Sequence, residues 1–119
     1  MTRPASDDAP LQTALQQLGA RRVEATLVAS LVDAGPMGTR DIVERTGLRQ
    51  PEVSVGMQEL RDRNWIVSEP VPRSGKGRPM HRYKLTIALG QIRRHYEDQG
   101  RRTLEQFQAL GIVTLKALP

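Results

Sequence analysis

Residues 39–65 read TRDIVERTGLRQPEVSVGMQELRDRNW, and the fold is decided there. Ile42, Val43, Leu48, Val53, Met57 and Leu60 recur at helical spacing, which puts most of them on inward faces. The pattern predicts a first helix from Thr39 to Gly47 and a second from about Gln50 to about Arg63. Thr46-Gly47-Leu48 is the compact connection expected between two steeply crossing helices, a helix-turn-helix. Thr39 is the candidate N-cap of the first helix, since its hydroxyl can accept an orphan backbone N–H. Pro51 suits the start of the second, where its missing N–H costs nothing. Glu52 either steadies that start or reads a cytosine amino group. A glycine inside a helix costs roughly 1 kcal/mol relative to alanine, so Gly56 implies close approach, to a neighbouring helix or to a nucleic-acid backbone.

Upstream, residues 20–34 (ARRVEATLVASLVDA) carry an apolar stripe of Ala20, Val23, Leu27 and Leu31, widened by Val28 and Val32. This predicts a helix braced behind the pair, stopped by Gly35-Pro36. Leu11, Leu15 and Leu18 fit a short helix before it. Residues 1–10, polar with two prolines, read as a flexible tail.

Downstream, Trp65-Ile66-Val67 is a short strand candidate, with Trp65 closing the core beneath the second helix. Pro70-Val71-Pro72 ends that strand. RSGKGRP (73–79) is a loop by composition. MHRYKL (80–85) alternates, with Tyr83 and Leu85 on the core side. Two strands around a basic, glycine-rich turn make a wing. Thr86 is a candidate cap for a helix over 87–110, whose apolar face is Ile87, Ile92, Tyr96, Thr103, Phe107 and Leu110. Gly100 is a candidate break within it. So thin an apolar face leaves surface for the same helix of a second copy, and the apolar residues of 104–118 either join that interface or fold back.

At 119 residues the chain makes one domain. Aromatics are 3%, so the core is aliphatic. The absence of cysteine removes disulfides, thiolate metal sites and cysteine nucleophiles. The two histidines, His81 and His95, lie on different elements, and no catalytic carboxylate pair or phosphate loop is present. No metal, cofactor or enzymatic activity is expected. No apolar run is long enough to span a membrane, so the expectation is a soluble cytoplasmic protein. Net charge is +5. Residues 71–85 hold five basic groups and no acid, while residues 39–65 hold five of each sign.

A helix fits the major groove of B-form DNA, where base edges are distinguishable. With Val53, Met57 and Leu60 inward, the second helix turns out Gln50, Glu52, Ser54, Val55, Gln58 and Arg61, with Arg49 at its start. Glutamine can pair with adenine, serine can reach phosphate or base, and valine can meet a thymine methyl. Arg73, Lys76, Arg78 and Arg82 of the wing are phosphate or minor-groove candidates.

LRQPEVSVGMQELRDRNWIV (48–67) and GKGRPMHRYKLT (75–86) together resemble the winged helix-turn-helix domain of bacterial and archaeal transcription regulators, the broad MarR, ArsR and TrmB-like group. The resemblance covers residues 20–86. Asn64 stands where that group usually has glycine, and asparagine tolerates the same left-handed conformation. Val55 departs from it, since many relatives carry a basic residue nearby. The resemblance implies an α+β fold: a three-helix core with a two- or three-stranded β wing, plus C-terminal dimerisation helices. The expected layout is a tail over 1–10, a DNA-binding domain over 11–86 and a helical dimerisation segment over 87–119. Ile92, Tyr96, Phe107 and Leu110 are the expected dimer contacts. The function expected is a homodimeric, sequence-specific regulator on double-stranded DNA. The alternative is a winged-helix interaction module within a transcription or replication assembly. Whether a small effector binds is left open.

Overall fold

A computed structural model of the chain describes residues 4–71 and 80–111. The elements run α1 (Pro4–Leu18), α2 (Arg22–Ala34), α3 (Thr39–Thr46), α4 (Gln50–Asp62), β1 (Ile66–Val71), β2 (Met80–Leu85) and α5 (Leu89–Ala109). This is a winged helix-turn-helix with helices added at both ends.

The core follows the inward faces of α2, α3 and α4. Leu27, Ile42, Val53, Met57 and Leu60 are fully buried, and Leu48 fills the gap beneath the turn between α3 and α4. Burying each such aliphatic side chain is worth about 1.5–3 kcal/mol. Gly47 ends α3 in the left-handed region at φ 76°, and its N–H donates to the Val43 carbonyl. A side chain there would be strained, which is why the turn takes glycine. The cap of α3 is Gly38, not Thr39, which lies one residue inside the helix. Thr46 at the other end bonds twice, donating to the Ile42 carbonyl and accepting from the Leu48 N–H.

Gly56 owes its identity to packing. A Cβ built on it lies 2.5 Å from Leu27 Cδ1 and 3.1 Å from Val23 Cγ1. Leu27 is wholly buried, so its end has no room to swing away. Gly56→Val is therefore expected to destabilise by about 2–3 kcal/mol through overpacking. Gly56→Ala should cost less, because alanine recovers about 1 kcal/mol of helix propensity. Urea unfolding midpoints check both, and three equal midpoints would remove the packing account.

β1 and β2 pair antiparallel with Ile66 opposite Leu85 and Val71 opposite Met80. The strand runs through Pro70 instead of ending there, as a two-stranded edge position allows. Met37 adds a third, one-residue strand, exchanging backbone bonds with Tyr83 at 3.1 and 2.7 Å. Asn64 makes the turn into β1 at φ 64°, as its place in the sequence implied. Tyr83 and Leu85 pack against the core, and Trp65 is buried under α4.

The ends of the chain depart from expectation. α1 starts at Pro4, so residues 4–10 are helical and not a tail. Proline is pre-set for a first helical position, although Pro10 inside the helix can donate no bond to the Ser6 carbonyl. Thr86 does not cap α5. Its hydroxyl donates to the Asn64 carbonyl, and the helix begins at Leu89 with the Ala88 N–H held by the Gln91 side chain. Gly100 does not divide α5, whose ladder continues to Ala109.

Ile92 and Tyr96 are buried in the chain's own core, at 0% and 2% exposure. They were expected at a subunit interface, and that expectation is corrected. The apolar face of α5 splits in two, its first half covering the domain. From Gln99 to Gly111 every residue is exposed. Leu104, Phe107 and Leu110 are 48, 44 and 71% exposed. The helix thus projects as an arm. The radius of gyration is 17.7 Å, against about 13.5 Å for a compact chain of this length.

Candidate nucleic-acid interface

Successive residues of an α-helix are about 100° apart, so α4 has two exposed flanks. One carries Gln50, Ser54, Gln58 and Arg61, all exposed. Gln50 borders a shallow depression with Thr39 and Arg40 of α3. Gln58 donates to Asp62 Oδ1 at 2.9 Å. The other flank faces α2 and carries Glu52 and Glu59. Arg21 binds Glu59 at 2.8 Å, and Arg22 lies 3.6 Å from Glu52. Glu52 also accepts from the Arg49 N–H at 2.9 Å, which gives it the helix-start role. The near-neutral charge count of residues 39–65 is therefore misleading. The two glutamates are turned away and engaged by α2, and the first flank presents its amides, hydroxyl and guanidinium with Asp62, held by Gln58, as the acid at its end.

Val55 is 61% exposed but belongs to the boundary with α2. It lines the groove there with Val23, Pro51 and Gly56. It was grouped with Gln50, Ser54 and Gln58, and the geometry sets it about 100° around the helix from Ser54. Arg49 is exposed at the N-cap of α4, beside Glu52. Arg82 is exposed on β2, but Glu69 directly across the ladder holds it at 3.2 Å, so part of its charge is spent within the wing. Arg73, Lys76 and Arg78 lie outside the described residues. Sequence reasoning missed Arg40, exposed in the first turn of α3 beside Gln50. Its place one residue after a candidate cap was the available signal.

Behind the flank, the end of α4 is tied to α5 through a buried carboxylate. Glu24 is 3% exposed. It accepts hydrogen bonds from Arg21 Nε at 3.1 Å and from the Tyr96 hydroxyl at 2.9 Å, and it pairs with Arg63, the C-cap of α4. Burial alone would push its carboxyl up, but the bonds from Arg21, Arg63 and Tyr96 outweigh this and hold it below the usual range. Burial, together with the Glu24 carboxylate, pushes the Tyr96 phenol up to about 12. His95 stands edge-on to Trp65 and Tyr96 at 4.9 and 5.0 Å, with Nε2 buried and no hydrogen-bond partner among the described residues. Burial, then Arg63 and Arg102, lower its pKa, against the opposite pull of Glu24 and Asp98.

Both groups make the fold acid-sensitive. His95 binds its proton less readily folded than unfolded, so stability falls as pH drops below its ordinary value of 6.5. Glu24 adds a second loss below 4.5. Melting temperature is expected to decline in two stages as pH falls from neutrality, the first below 6.5 and the second below 4.5. His95→Gln should flatten the first stage alone, and a flat profile for the unaltered protein would contradict both assignments.

Among the described residues, no helix is long and apolar enough to cross a membrane, and no cluster of His, Asp and Glu is placed to hold a metal ion. No protein-family model matches the chain, and no curated protein matches it in sequence. Solved structures do match in fold. A MarR family transcription regulator superimposes with TM-score 0.56 at 17% identity, over 92% of this chain and 71% of that one. A mutant MarR from E. coli, complexed with operator DNA, gives 0.55 at 16%, over 96 and 86%. A MarR family regulator from Neisseria meningitidis gives 0.52 at 16%, over 87 and 68%. At these identities the likeness establishes the winged helix-turn-helix architecture, terminal helices included.

Proposed function

We propose that this chain is a sequence-specific, double-stranded DNA-binding regulator of transcription that works as a homodimer. The observation that carries the reading is the exposed flank of Gln50, Ser54, Gln58 and Arg61. It stands clear of the chain's other described elements, with Glu52 and Glu59 of α4 drawn to the side of α2 and Asp62 accepting from Gln58. A helix presented this way fits a major groove, and glutamine offers adenine a paired donor and acceptor. Arg40 and Arg49 flank it as phosphate contacts, and Lys76 and Arg78 supply the wing's positive charge. One of the matched folds was solved with operator DNA, which supports the reading. The projecting arm with Phe107 and Leu110 supports a second copy. Two reading helices then address half-sites one helical turn, about 34 Å, or a multiple of it apart.

Selection from a randomised duplex pool tests this. The unaltered protein is expected to enrich an inverted repeat. The triple variant Gln50→Ala, Ser54→Ala, Gln58→Ala should lose the preference while retaining weak, general binding, each paired contact being worth about 1–3 kcal/mol. Lys76→Ala with Arg78→Ala should weaken binding to every sequence and flatten the salt dependence by about one unit of slope per charge. Enrichment of nothing, or an unchanged motif in the triple variant, would defeat the proposal.

A further inference from the structure

Three elements meet at one carboxylate. Glu24 comes from α2, Arg63 from the C-cap of α4, and Tyr96 from α5. Arg63 also reaches the Tyr96 hydroxyl at 3.3 Å, and its guanidinium lies 4.9 Å from the Trp65 ring centroid. Trp65, His95 and Tyr96 close the site edge-on to one another, at 4.9 to 5.8 Å. Apolar packing alone lets helices slide. A buried carboxylate with several directed donors accepts few arrangements.

The cluster is also the last fixed point of α5. The thirteen steps along the helix from Tyr96 to Ala109 reach about 20 Å at about 1.5 Å per step. From Gln99 onward none of its residues is covered by the domain. A tilt of 10° at the cluster moves the tip by about 3.5 Å, close to the spacing of one base step, about 3.4 Å.

We propose that Glu24, Arg63 and Tyr96 form the joint that fixes the angle between α4 and α5, and through it the separation of the two reading helices in the dimer. They are positioning residues, since none lies on the Gln50–Ser54–Gln58 flank. The angle is a property of the single chain; its effect on DNA rests on the function proposed above.

The chain has no cysteine, so spin labels can be placed without background. Gln58→Cys with Gln108→Cys reports the α4-to-arm distance, measured without DNA in labelled chains diluted among unlabelled ones. One narrow distance is expected in the parent. Tyr96→Phe and Arg63→Met should shift or broaden it by about 3 Å, the lever estimate above, with helical circular dichroism unchanged. Tyr96→Phe removes a single oxygen, so it decides the matter should Arg63→Met fail to fold. Identical distributions overturn the proposal. In duplex selection with unlabelled protein, the same variants should keep the half-site motif and relax or shift its spacing by about one base pair; a fixed spacing overturns the coupling to DNA. If the unaltered protein enriches no duplex, the DNA reading fails, while the distance measurement still decides the joint.

Discussion

Replacing Phe107 and Leu110 with glutamate is expected to leave the protein monomeric and to cut its affinity for a two-half-site duplex by about 10²–10⁴-fold, the size of a lost avidity term. Both side chains sit on the continuation of the Ile92–Tyr96 face, beyond the point where the chain's own domain covers it. Apolar groups left in water at this spacing are accounted for by a second copy, and carboxylates there would have to be buried unpaired in the interface. Neither residue approaches the α4 flank, so affinity for an isolated half-site should be unchanged. Sedimentation gives the mass and fluorescence anisotropy the two affinities. A glutamate variant that still sediments as a dimer sinks the assignment of α5 as the dimer arm.

The largest loss of stability is expected from Trp65→Ala, about 3–5 kcal/mol for removing a buried aromatic of this size. In a domain of this length that lowers the melting temperature by roughly 10–20 °C. Trp65 is 5% exposed and borders Arg63, His95 and Tyr96, so its removal opens a cavity and loosens the Glu24 cluster together. Trp65→Phe retains an aromatic face and should lose less than half as much. An aromatic beside a DNA-reading helix has one other use, stacking on a base. That role predicts the reverse outcome: a near-normal melting temperature with DNA binding lost.

Where local physics decides the conformation, the sequence was a good guide. The inward residues of α4, the turn at Gly47, the left-handed Asn64 and the alternation of Tyr83 and Leu85 were readable because each depends on spacing or on one residue's allowed dihedrals. Partnership across the chain was not readable. Ile92 and Tyr96 share an apolar stripe with Phe107 and Leu110, and periodicity cannot tell which molecule covers which part of a stripe. The tie between Glu24 and Tyr96 spans 72 residues and leaves no local pattern. The flank of α4 looked electrically neutral because a count along the chain cannot know that Arg21 and Arg22 draw Glu59 and Glu52 aside. Thr39 and Thr86 were plausible caps by chemistry, and neighbours one or two positions away fill those places.

The projecting half of α5 carries a further implication. A helical overhang of some dozen residues with a glycine near its root, Gly100, is marginal by itself in water, since isolated helices of that length barely hold. In the proposed homodimer its order would be lent by the second copy, and assembly would scale with the square of the amount of chain present. Such a regulator acts as a dose meter: halving its supply empties its sites by more than half. Amide exchange over residues 100–111 would record this as protection that grows with protein concentration, while the amides of α2 and α4 stay indifferent to it.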